Sequence, residues 1–101
     1  WMHELPPMVH LDRGTVIDVH HTILPLTARH APDPEALIAR ALPLDGLPDI
    51  RVPCPQDLLT HSLTHLMHEG ELANGLRDLN DIDEMAREFG SDPAFWPALQ
   101  R

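Results

Sequence analysis

Lysine is missing altogether from this 101-residue chain; its seven basic residues are all arginine, set against sixteen aspartates and glutamates. Without lysine, a Walker-type phosphate loop and Schiff-base chemistry are both excluded. At a formal net charge of −9 there is no clustered positive stripe to grip a phosphate backbone, so nucleic-acid binding is not expected. Tyrosine is absent and aromatic residues make up only 4%, which leaves a core of Leu, Ile, Val and Met. One cysteine, Cys54, excludes an internal disulfide framework and suits a reducing compartment. No apolar run approaches the ~18 residues of a membrane span, and no cationic leader precedes an apolar segment. A cytoplasmic location is therefore the expectation. The chain starts at Trp1 rather than at a methionine, which suggests a piece of a longer protein.

What is present is a hydrophobic fraction of 43%, over a length that suits one modest domain. The central stretch is Thr15 to Leu24, whose β-branched content reads as a strand bounded by Gly14 and Pro25. Alternation puts Asp18, His20 and Thr22 on one face with Val16 and Leu24. Ile17, Val19, His21 and Ile23 share the other, which is expected on the core. Asp12-Arg13-Gly14 is a turn signal joining residues 8–11 to this strand as a hairpin. Residues 50–52, flanked by Pro48 and Pro53, are a candidate third strand at an edge. Leu44 to Pro48 reads as a turn.

Four helices are expected. The first covers 34–42, with Asp33 as N-cap and Pro34 at the first helical position. The others cover 55–69, 75–89, stopped by Gly90, and 93–100. The predicted fold class is α+β, a small antiparallel sheet or hairpin followed by a helical C-terminal part. Side chains on a helix advance about 100° per residue. Leu59, Leu63, Leu66 and Met67 then form the core stripe of 55–69, while His61, His65 and His68 form a second stripe nearly opposite. In 75–89 the apolar stripe is Leu76, Leu79, Ile82, Ala86 and Phe89, with Asp78 and Asp81 beside it. A short connection makes the two long helices an antiparallel pair.

Two sets of residues carry chemistry. Asp18 and His20, a carboxylate and an imidazole two residues apart on one strand face, form the first. His61 and His65 form the second, a His-x-x-x-His pair that is a metal-ligand candidate for zinc, joined by Asp81 or Asp18. A carboxylate accepting from an imidazole would also fix its tautomer. The alternatives for the histidine stripe are a plain polar outer face or a face buried against the strand with each imidazole hydrogen-bonded, and for the helices a partner-binding or self-associating surface.

Three segments in this order, VIDVHHTIL, RVPCPQDLLTHSLTHLMHEG and GLRDLNDIDEM, resemble the C-terminal half of the uncharacterised nucleotidyltransferase family of the polymerase-β-like superfamily. The likeness covers roughly residues 8–88: an acid and a histidine in a strand (Asp18, His20), a Leu-Leu-x-His helix (Leu58, Leu59, His61, then His65 or His68), and a Leu-Arg-x-Leu-x-Asp run (Leu76, Arg77, Leu79, Asp81). The resemblance implies metal-assisted transfer of a nucleotidyl group from a nucleoside triphosphate to an acceptor, with magnesium or manganese. It makes Asp18 the candidate third carboxylate and His20 its neighbour. The family's Gly-Ser followed by paired acids is not found in this chain. By itself, then, the chain is not expected to catalyse the transfer.

Overall fold

The computed structural model describes residues 4–25, 27–30, 32–69, 73 and 75–100. It forms two compact units, Trp1–Ala36 and Leu37–Arg101, and each is treated by itself. The class is α+β: among the described residues there are two small antiparallel sheets of two strands each, followed by a helical C-terminal part.

In the first unit β1 (Met8–Val9) pairs antiparallel with β2 (Val16–Ile17), in the register Met8↔Ile17 and Val9↔Val16. The expected turn closes this hairpin: Gly14 has φ 67°, its N–H donates to the His10 carbonyl, and the His10 N–H donates to the Thr15 carbonyl. The strand expected over 15–24 is far shorter. Beyond Ile17 the pairing resumes as a single bridge, Glu4↔His20, with the Leu5 N–H donating to the Val19 carbonyl at 2.8 Å. From Glu4 to Met8 is four steps and from Ile17 to His20 three, so one side carries an extra residue. Pro6 and Pro7 lie in that gap and have no N–H to give a ladder. The face expected on the core is open: Ile17 and Val19 are exposed, and the buried side chain of the stretch is Thr22.

Helix α1 (Pro34–Arg40) starts as expected, with the Asp33 carboxylate accepting the Glu35 N–H at 3.0 Å. It ends earlier than residue 42. Leu42 precedes Pro43, whose ring disfavours helical geometry in the residue before it. Leu42 instead opens β3 (Leu42–Leu44), which pairs antiparallel with β4 (Leu47–Val52) across Asp45-Gly46. Gly46 takes φ 76°, and a register shift between Pro43 and Leu44 lets the loop close. Residues 50–52 are therefore strand as expected, but their partner is 42–44 rather than the first hairpin.

Helix α2 (Pro55–Glu69) has the expected bounds and α3 (Gly75–Gly90) runs one residue further than expected; α4 (Phe95–Leu99) is shorter. The start of α2 shares a hollow with Glu88 and Phe89, while its middle shares one with Asp78 and Asp81, which makes the pair antiparallel. Helix α4 packs on both. The core of this unit is small: Leu59 is 3% and Phe95 2% exposed, and the Phe95 ring lies 5.9 Å from that of Phe89 and 5.0 Å from that of Trp96. Of the expected core stripe, Leu63 and Met67 are exposed, as are Leu76 and Leu79 on α3. Among the described residues no helix is long and apolar enough to cross a membrane.

Candidate functional site

Asp18 and His20 lie past the end of β2, and both are exposed. The His20 Nε2 stands 3.2 Å from Glu4 Oε2, across the bridge that re-forms the hairpin. The imidazole is thus engaged by a carboxylate from the opposite side of the hairpin. Glu4 was not singled out by its sequence; it is found only by extending the Met8↔Ile17 pairing outwards and allowing for the extra residue.

The histidine stripe sits on α2 as counted, with His61, His65 and His68 all exposed. The antiparallel pairing brings two of them to the acids of α3. A groove of about 210 Å³ is lined by His61, Ser62, His65, Asp78 and Asp81. The His61 and His65 rings are 6.1 Å apart and tilted by 51°. The Asp78 carboxylate is half-buried, with the Arg77 guanidinium 3.9 Å away. His61, His65 and Asp81 are thus brought to one place, while Asp18 belongs to the other compact unit. Among the described residues, no group of three or more His, Cys, Asp and Glu side chains is arranged to hold a metal ion.

A third cluster was not legible in the pattern. Arg40, in the last turn of α1, donates to both carboxylate oxygens of Asp57, at 3.0 and 2.9 Å. Cys54, whose carbonyl accepts the Leu58 N–H at 2.9 Å, donates its thiol to Asp57 Oδ2 at 3.2 Å. The bidentate Arg40 bond holds the Asp57 carboxyl below the usual carboxylate range, with the Cys54 bond adding to it and partial burial opposing. The same pairing raises the Arg40 guanidinium. These residues line a hollow of about 470 Å³ with Gln56, Thr60, Ala98 and Leu99. Asp57 at the third helical position and the proline after Cys54 signal a helix start, but nothing in the spacing points to Arg40, seventeen residues away.

Two sequence features that imitate a nucleotidyltransferase signature are explained by their placement. Gly90-Ser91 is the only Gly-Ser in the chain, and it closes α3. The one acid that follows, Asp92, accepts the Ala94 N–H at 2.8 Å and so serves the turn into α4. Asp81-Ile82-Asp83 has the alternating spacing of paired acids, but on α3 that spacing separates the two carboxylates by about 200°. Asp83 is engaged instead by Arg87, at 2.8 Å one turn on.

A family model described as uncharacterised nucleotidyltransferase matches residues 2–101. No curated protein and no solved structure matches the chain.

Proposed function

The chain belongs to the uncharacterised nucleotidyltransferase family, and from that premise we propose that it is a non-catalytic portion of a protein that transfers a nucleotidyl group from a nucleoside triphosphate to an acceptor. The observation that carries the second half of this reading is the fate of its acids. No Gly-Ser leads into two alternating carboxylates on a strand, and the one Asp-x-Asp pair, Asp81 and Asp83, is split to different sides of a helix. The magnesium or manganese ion that the family implies has no complete donor set among the described residues. Asp18 is the carboxylate this stretch would lend to such a centre. Its exposure supports that role, and His20, tied to Glu4, would hold the neighbouring backbone. A nucleotide is the substrate class this reading assigns. A cytoplasmic setting accords with a single cysteine whose thiol is used in a hydrogen bond.

The test is a transfer assay with α-labelled nucleoside triphosphates and magnesium or manganese. The chain by itself is expected to transfer no label. Transfer that disappears in Asp18→Ala would overturn the non-catalytic reading. In a longer polypeptide that does carry a Gly-Ser and paired acids, Asp18→Ala is expected to slow transfer on the order of 10²-fold. An unchanged rate there would remove Asp18 from the reaction.

A further inference from the structure

We propose that one flank of the α2–α3 pair, formed by Leu63, Met67, Leu76 and Leu79, is the docking surface for a basic amphipathic helix of a partner protein. The inference concerns association only, and it does not rest on the family reading.

Helix α4 defines this flank. Its Ala98 and Leu99 share a hollow with Gln56 and Thr60 of α2, and its Trp96 indole lies against Gly90 of α3. On α2, Gln56, Thr60, Leu63 and Met67 follow one another at helical spacing in a single stripe. On α3, Leu76, Leu79, Asp83 and Gly90 do the same. Because α4 is only five residues long, it covers the Gln56, Thr60 and Gly90 end and leaves the rest of both stripes bare. Leu76 is 85% and Met67 80% exposed, and Leu63 and Leu79 are exposed as well. The antiparallel register that sets residues 61–65 beside 78–81 puts Leu63 level with Leu79 and Met67 level with Leu76, so the four side chains make one patch. The histidine groove opens on the other flank: Leu63 is two residues from His61 and Leu79 two from Asp81, about 200° around each helix.

A bare apolar stripe in line with a packed helix suits helix-in-groove recognition, in which the guest supplies apolar anchors at i, i+3, i+4 and i+7. Met67 favours such a guest, because an unbranched thioether side chain adapts its shape to what lies on it. Charge then selects the guest. Helix α3 carries Asp78, Asp81, Asp83, Glu84 and Glu88 against Arg77 and Arg87. Asp83, bonded to Arg87, stands exposed on the flank itself, one turn beyond Leu79. From Val52 to Leu76 there is no lysine or arginine, while Glu69 and Glu71 fall between Met67 and Leu76 in the chain. A guest rimmed with lysine or arginine meets opposite charge there, whereas a second copy of this chain brings another formal −9.

The experiment uses the whole chain and a fluorescein-labelled synthetic helix of about 15 residues, with Leu at i, i+3, i+4 and i+7 and Lys elsewhere. One control peptide has Glu in place of every Lys; another keeps the composition and scrambles the Leu spacing. In anisotropy titrations at about 0.1 M salt the Leu/Lys helix is expected to bind saturably, and to bind less tightly as salt is raised. Both controls should bind at least about tenfold more weakly. The Met67→Ser/Leu76→Ser variant should lower the affinity for the Leu/Lys helix at least about tenfold, because apolar anchors dominate such contacts. Ile38→Ser, at an exposed apolar residue of α1, should leave it unchanged. Circular dichroism checks that the variants remain folded. Absence of binding, or equal binding by the scrambled peptide or by the double variant, would overturn the proposal. Sedimentation velocity is expected to show a monomer. A dimer that Met67→Ser/Leu76→Ser dissociates would make a second copy the occupant and would sink the basic helix as the guest.

Discussion

At the scale of single residues, one carboxylate joins more of the second unit than any motif does. Asp57 takes two bonds from Arg40 at the end of α1 and one from Cys54 at the start of α2, and its side chain is 13% exposed. Because these partners favour its ionised form, its folded pKa lies below the unfolded value. Its contribution is therefore complete above the ordinary carboxylate range, about pH 4, and is lost as the pH falls through the lowered folded value. Asp57→Asn is expected to cost about 1 kcal/mol at neutral pH, as for loss of a favourable charge in the first turn of a helix together with its charge-assisted hydrogen bonds. Urea unfolding from pH 6 to pH 3 should show a shallower acid decline in the variant than in the wild type; parallel profiles would mean that Asp57 does not titrate with folding. Position 90 makes a related point. Gly90 reads as a helix stop, yet it is the last residue of α3, and a β-carbon there would meet the Trp96 indole at 2.9 Å. The glycine is needed for a close approach, which only the packing of α4 reveals.

At the scale of elements, helical periodicity placed α2 and α3 well, since a 15- or 16-residue segment repeats its pattern over four turns. The same counting overestimated what the stripes bury. Leu59 is enclosed, while Leu63, Met67, Leu76 and Leu79 on the same stripes are exposed, because α4 is only five residues long and covers a short part of the pair. Leu59→Ala is accordingly expected to cost about 2–5 kcal/mol, and Leu76→Ser no more than about 0.5 kcal/mol. Chemical denaturation of the two variants decides this; equal losses would mean that the exposed stripe is covered in solution. The strands were harder to read. Asp45-Gly46 reads as a turn, and the pairing of Leu42–Leu44 with Leu47–Val52 makes it the loop of a hairpin even though Pro43 and Pro48 give the ladder no N–H. The β-branched run from Thr15 forms a two-residue strand because its partner segment contains Pro6 and Pro7. Strand length is a property of two segments, and β-branched content describes only one of them.

At the scale of the whole molecule, charge makes the firmest statement. With a formal net charge of −9 and no lysine, the chain is expected to show no binding to duplex DNA or RNA in a mobility-shift assay at about 0.1 M salt, where association rests on released counterions. Retention of either nucleic acid would mean that the seven arginines are gathered on one surface. Composition, charge, cap and turn residues, and the 3.6-residue period are carried by neighbours along the chain. The sequence by itself therefore determined the α+β class, the first hairpin turn, the long helices and the histidine stripe of α2. Contacts between distant residues depend on which faces meet, and no local pattern states that. Only the tertiary structure decided that His61 and His65 share a groove with Asp78 and Asp81, that Glu4 holds His20, and that Arg40 reaches Asp57. The physical reason is that a helix or strand offers several faces of comparable character, and the packing of its neighbours selects among them.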